Sequence, residues 1–225
     1  MQIAQVSRAG APLLLDLSPL PVTKHAIFAA ILKMKAQRFV MSVLGLIVAP
    51  SIAHAHVGSG VTGGFLDGVS HPLTGIDHLC AMIAVGLWAA QTGGRAVWAV
   101  PLAFVSVMLV GGEFGRAGVH FPFVETGIAL SVLMLGVLIA AAVRLPLAAS
   151  ILIVALFALC HGHAHGAEMP ARASALGYAG GFALATALLH VAGIGLGAGI
   201  EKIASAKFVR FAGGAIALCG LGLWI

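Results

Sequence analysis

Two clusters of ionisable residues interrupt an otherwise apolar sequence. "SHPLTGIDHLCAM" (Ser70–Met82) carries His71, Asp77 and His78, and "CHGHAHGAE" (Cys160–Glu168) carries His161, His163, His165 and Glu168. His190 stands alone in "LATALLHVAG", and Glu125 opens "VETGIALSVLMLG". Imidazoles and carboxylates are good ligands for Ni(II), Co(II), Cu(II) and Zn(II). They also pass protons. No Lys or Arg lies deep in an apolar segment to neutralise the acids. The acids and imidazoles therefore either share protons with one another or hold a cation, and ionisable groups placed this way are functional candidates.

Spacing sorts the candidates. Asp77 and His78 form the strongest pair, since they are adjacent, embedded and without a basic partner. In a continuous helix His71 and His78 lie about 10.5 Å apart along the axis, which is awkward for one ion. Pro72 suits the first turn of a helix, which makes His71 an outer cap, unless unwinding near Pro72 and Gly75 shortens the gap. In "CHGHAHGAE" a helix puts His161, His165 and Glu168 on one face and turns His163 away; an extended chain puts the three histidines together. The plainer readings are a His-rich loop for His163 and His165, a hydrogen-bonded bundle histidine for His190, and a dipole-favoured helix-start acid for Glu125. Glu113, near Arg116, reads as a surface charge.

The elements that position these residues must be membrane helices. Of 225 residues 60% are apolar and 8% charged, and the mean hydropathy is +1.09. A soluble domain carries about a quarter charged residues. The net charge of +5 is scattered, without the basic, aromatic-rich runs that bind nucleic acid. Cys80, Cys160 and Cys219 lie in apolar segments and read as packing residues. The class is an all-α polytopic membrane protein. Six apolar segments, over about 73–92, 96–113, 123–143, 146–162, 174–199 and 207–225, are long enough to expect transmembrane helices.

Before them, "MKAQRFVMSVLGLIVAPSIAHA" (34–55) has the basic start, short apolar core and A-x-A end of a cleavable signal peptide. Residues 1–33 read as an upstream extension, with Met34 the expected start, and 56–225 as the membrane domain. With the mature N-terminus outside, the inner loops hold Arg95, Arg144, Lys202, Lys207 and Arg210, and the outer loops only Arg116 and Arg172. The positive-inside rule gives the same orientation, both ends out, in a bacterial inner membrane.

"HPLTGIDHLCAMIAVGLWA", "VETGIALSVLMLG", "FALCHGHAHGAEMP" and "GFALATALLHVAGIGLG" together resemble the HupE/UreJ family of bacterial nickel or cobalt permeases. The resemblance covers essentially all of residues 56–225. It implies metal-ion uptake, with nickel serving hydrogenase or urease maturation or cobalt serving cobalamin. It matches His71, Asp77 and His78 to the family's first-helix motif, and His161, His163, His165 and Glu168 to its fourth-helix motif. Glu125 and His190 fall in its other recurring strings. The reading is a permease rather than an enzyme, with a divalent metal as cargo, no cofactor and the bilayer as partner. Nickel versus cobalt, proton coupling and homo-oligomerisation stay open. No G-x-x-x-x-G-K-[ST] string for ATP is present. A dication moving inward gains about 4.6 kcal/mol per 100 mV of inside-negative potential, so the membrane potential suffices. The competing readings are a bis-histidine haem protein and a metal-binding accessory protein without transport.

Overall fold

A computed structural model describes residues 61–203 and 205–224; the expected extension and signal peptide lie outside them. Among the described residues all regular structure is helical: α1 (Val61–Thr74), α2 (Ile76–Thr92), α3 (Ala96–Arg116), α4 (Val124–Ala140), α5 (Leu147–Ala167), α6 (Ala175–Ile203) and α7 (Ala206–Gly222). Each of the six apolar segments is thus a helix, α2 to α7. Three of them, α3, α5 and α6, are long and apolar enough to cross a membrane alone. α1 and α2 form a fourth candidate span bent by 83°, while α4 has 17 residues and α7 also 17.

α1 corrects the expectation that His71 caps the first span. His71 and Pro72 lie in the last turn of a separate helix, and the chain breaks three residues later, at Gly75. The glycines and proline of "VTGGFLDGVSHPLT" argue for a loop, but Gly68 lies directly on α6 and Gly64 on the residues just before it. A Cβ at Gly64 would meet Ser174 N at 2.8 Å, and one at Gly68 would meet Phe182 N at 2.9 Å. Tertiary packing overrides weak helix propensity here.

Small residues set the other helix pairs, as expected where lipid supplies no hydrophobic drive between helices. α2 runs parallel to α6 through Gly86 and Gly193. α3 runs parallel to α5 through Gly111 and Gly115 against Leu159, His163 and Ala167. α4 runs antiparallel to α7, with Gly136 against Ala217 and Gly220 against Leu133. Gly93 and Gly94, at φ 77° and 56°, make the turn from α2 to α3.

Carbonyls at the end of α4 and just beyond it are capped from neighbouring helices. Gln91 Nε2 donates to the Ile139 carbonyl at 3.1 Å, Trp88 Nε1 to Val143 at 2.9 Å and Arg210 Nε to Ala140 at 2.8 Å. Unsatisfied backbone groups are costly in an apolar medium, so these bonds fix where α4 ends. The core gathers Met82, Trp88, Phe104, Met108 and Leu135, while Trp98, Leu102, Leu152, Leu188 and Phe211 face outward.

The Cys80 and Cys219 sulfurs are 3.7 Å apart, joining α2 to α7. Mild copper–phenanthroline oxidation of the purified chain should close this pair and remove two of the three free thiols. Retention of all three by thiol titration would mean that α7 does not pack on α2 at this level.

Candidate functional site

The bend at Gly75 assembles the cluster. Gly75 is extended, with φ −90° and ψ 121°. A Cβ there would meet Asp77 Oδ1 at 2.6 Å and His78 Nδ1 at 3.1 Å. Without it, the Asp77 carboxylate folds over the first turn of α2. Asp77 Oδ1 accepts the His78 backbone N–H at 2.8 Å and lies 2.8 Å from His78 Nδ1. The helix dipole favours an acid there.

α5 brings the second cluster to the first. It stays helical to Ala167, so His161 and His165 share its buried face and Glu168 follows at the end. The His165 ring is 4.2 Å from the His78 ring and 4.6 Å from the His71 ring, and the His161 ring is 5.0 Å from that of His78. His71 Nε2 pairs with Glu168 Oε2 at 2.9 Å. The 83° bend therefore gathers His71 and His78 around His165, which a continuous helix forbids. Exposure falls along this series. The Glu168 and His71 side chains are 58% and 29% exposed, whereas His165 and His161 are 1% and 0% exposed.

Hydrogen bonds assign the ring nitrogens. Ser131 Oγ donates to the Ile128 carbonyl at 2.6 Å, and His161 Nε2 lies 2.8 Å from the same hydroxyl. A serine hydroxyl has one hydrogen. With that hydrogen on Ile128, Ser131 accepts from His161 Nε2–H, and the lone pair of His161 falls on Nδ1. By the same logic Asp77 holds the proton of His78 on Nδ1 and leaves the lone pair on Nε2. A carboxylate or hydroxyl behind an imidazole is the usual arrangement that orients a metal-binding nitrogen. His78 Nε2 and His161 Nδ1 are both buried without a partner, as are both ring nitrogens of His165 and of His190. Burying polar atoms unpaired is unfavourable, and those of His78, His161 and His165 lie together.

The imidazoles pack edge to face, at interplanar angles of 69–89° for the His78 contacts. Among the described residues, no three His, Cys, Asp or Glu side chains stand placed to hold a metal ion. A cation entering this cluster must therefore part the rings. No Lys or Arg pairs with Asp77 or Glu168 among the described residues; the ion pair Arg116–Glu113 lies at the exposed end of α3. A groove of about 530 Å³ between α3, α5 and α6 reaches His165, Tyr178 and Met108 from that end.

Three candidates fall outside the ring cluster. His163 lies on the opposite face of α5, where Nε2–H donates to the Val119 carbonyl at 2.6 Å and the ring stacks on Phe121 at 4.9 Å. Helical periodicity turns it away, as the helical alternative expects. Glu125 is exposed in the first turn of α4, away from these contacts. His190 is buried on α6, separated from His161 by Phe104, whose ring lies 5.2 Å from His190 and 5.8 Å from His161. Sequence reasoning missed Ser131, Phe104 and Phe182, the last of which covers His165 at 3.9 Å. Only Ser131 left a signal, as a hydroxyl in the middle of α4 between apolar residues.

A family model described as HupE / UreJ protein matches residues 44–223. The Protein HupE of Rhizobium leguminosarum bv. viciae is 48% identical over 186 residues, which is 83% of this chain and 97% of that protein. No solved structure matches.

Proposed function

The chain belongs to the HupE/UreJ family, and from that premise we propose that it is a potential-driven permease for Ni²⁺, with Co²⁺ as an alternative cargo. The carrying observation is the set of buried, unpartnered ring nitrogens on His78, His161 and His165 beside an acid that no Lys or Arg neutralises. Glu168 and His71, the most exposed members, capture a partly hydrated ion. Asp77 offsets its charge, and His78, His161 and His165 replace waters as the rings part. The site must bind moderately, because an ion that is held too tightly is not released. Delivered metal serves hydrogenase or urease maturation.

In this reading α2 to α7 are six spans in the inner membrane, with both ends of the mature domain outside. The parallel pairs α2/α6 and α3/α5 and the antiparallel pair α4/α7 support alternating spans. The bias of Arg95, Arg144, Lys202, Lys207 and Arg210 to one side supports the orientation. The potential alone allows roughly three powers of ten of accumulation per 100 mV.

The test is radiolabelled nickel and cobalt uptake by the full chain in proteoliposomes carrying an imposed inside-negative potential. We expect uptake that collapses when the potential is dissipated. Metal binding without flux would replace the permease by a metal-holding accessory protein.

A further inference from the structure

We propose that Met82, Met108 and Thr186 form a second cation site, a thioether step between the outer histidines and His190. The proposal deepens the permease reading and rests on it for its place in the route. Thr186 Oγ1 lies 3.3 Å from Met82 Sδ and 3.6 Å from Met108 Sδ. The three residues come from three helices, α2, α3 and α6, and each is 0% exposed.

Register joins this group to both histidine sites. Met82 stands four residues after His78 on α2, and Thr186 stands four residues before His190 on α6. Residues four apart on a helix are neighbours on one face. The steps His78 to Met82, across to Thr186, and on to His190 thus form a continuous ladder between parallel helices. Gly86 and Gly193 keep those helices in backbone contact at the level of His190. The direct line from His161 to His190 is filled by the Phe104 ring. Met108 also lines the groove that reaches His165, so space connects it to the outer cluster.

The donor set suits transit. Thr186 points its hydroxyl at two thioethers, which are weak acceptors. Two neutral sulfurs, one hydroxyl and the unpartnered nitrogens of His190 offer coordination without charge. A neutral site binds a dication weakly and releases it readily, and thioethers favour softer ions over hard ones. As core residues alone, Met82 and Met108 would be replaceable by leucine at little cost.

Cd²⁺ is the probe, being a soft dication. The full chain in detergent is loaded with Cd²⁺ to saturation and examined by X-ray absorption at the cadmium edge, beside equilibrium dialysis with Cd²⁺ and Ni²⁺. We expect sulfur scattering in the native chain that Met82→Leu/Met108→Leu loses, cadmium binding weakened about tenfold, and nickel binding at the histidines within twofold. Nickel uptake should slow about tenfold with an unchanged half-saturation concentration. No cadmium–sulfur scattering in the native chain overturns the proposal. So does a parallel loss of cadmium and nickel binding, the mark of general repacking. If the double variant does not fold, Met82→Leu and Met108→Leu singly carry the same comparison. Failure of the native chain to move nickel strikes the permease reading alone, because the absorption and dialysis results need no transport.

Discussion

Asp77→Asn should lower the initial rate of nickel uptake into proteoliposomes about a hundredfold while leaving the fold intact. Asparagine keeps the shape and the Oδ1 atom that accepts the His78 backbone N–H at 2.8 Å. It removes only the charge. Two unit charges about 4 Å apart attract by about 4 kcal/mol at an effective dielectric of 20, and a dication doubles that. Stripping water from the ion and the carboxylate cancels much of the gain. A residue of about 3 kcal/mol corresponds to a hundredfold. The control is His163→Ala on the face of α5 away from the ring cluster, expected within twofold of native because the His163 side chain meets Phe121 and the Val119 carbonyl rather than the other imidazoles. Asp77→Asn uptake within threefold of native, in protein of native circular dichroism, would remove Asp77 from the site. Equal losses in both variants would reduce the two motifs to scaffolding.

The sequence shows the candidate residues more readily than it shows their geometry. His71, Asp77, His78, His161, His165, Glu168 and His190 are legible because ionisable residues stand out against an apolar background. Six of the seven helices among the described residues are legible for the converse reason, as long apolar runs. The hidden helix is α1, whose Gly64 and Gly68 weaken its local propensity and whose reason to be helical lies more than a hundred residues away, on α6. Without α1, His71 looks like a cap on α2; with it, the bend at Gly75 becomes the device that sets His71 and His78 on either side of His165. The fate of His163 depends on whether "CHGHAHGAE" is helical, and α5 settles that by running to Ala167. Ser131 and Thr186 escape notice because hydroxyls are ordinary in membrane helices, where they bond a carbonyl one turn back. Ser131 does bond Ile128 in that way, and only its second contact, to His161, gives it a role.

Gly162→Val should abolish nickel uptake and lower the melting temperature by roughly 6–12 °C, and the reason lies in how α3 holds the histidines of α5. Gly162 sits between His161 and His165 on the sequence and faces α3 across a close backbone approach of the pair. A Cβ there would strike the Met108 carbonyl oxygen and come within 2.8 Å of its carbon and 2.9 Å of Gly112 N. Gly166 meets Gly112 in the same way one turn on, so the contact is a small-x-x-x-small seam in which neither backbone can yield locally. Valine must push the helices apart. Overpacking costs about 1–3 kcal/mol in soft cores and more against rigid backbone; at about 2–4 °C per kcal/mol for a chain of this size, 3 kcal/mol gives the stated shift. The same displacement carries His161 away from Ser131 and His165 away from His78, contacts now at 2.8 Å and 4.2 Å. Gly180→Val supplies the comparison, because nothing lies within 4 Å of a Cβ at Gly180. It should melt within about 2 °C of native and transport normally. If both valines destabilised the chain equally, the cost would be intrinsic to replacing glycine in a membrane helix, and the α3–α5 seam would lose its claim to position the site.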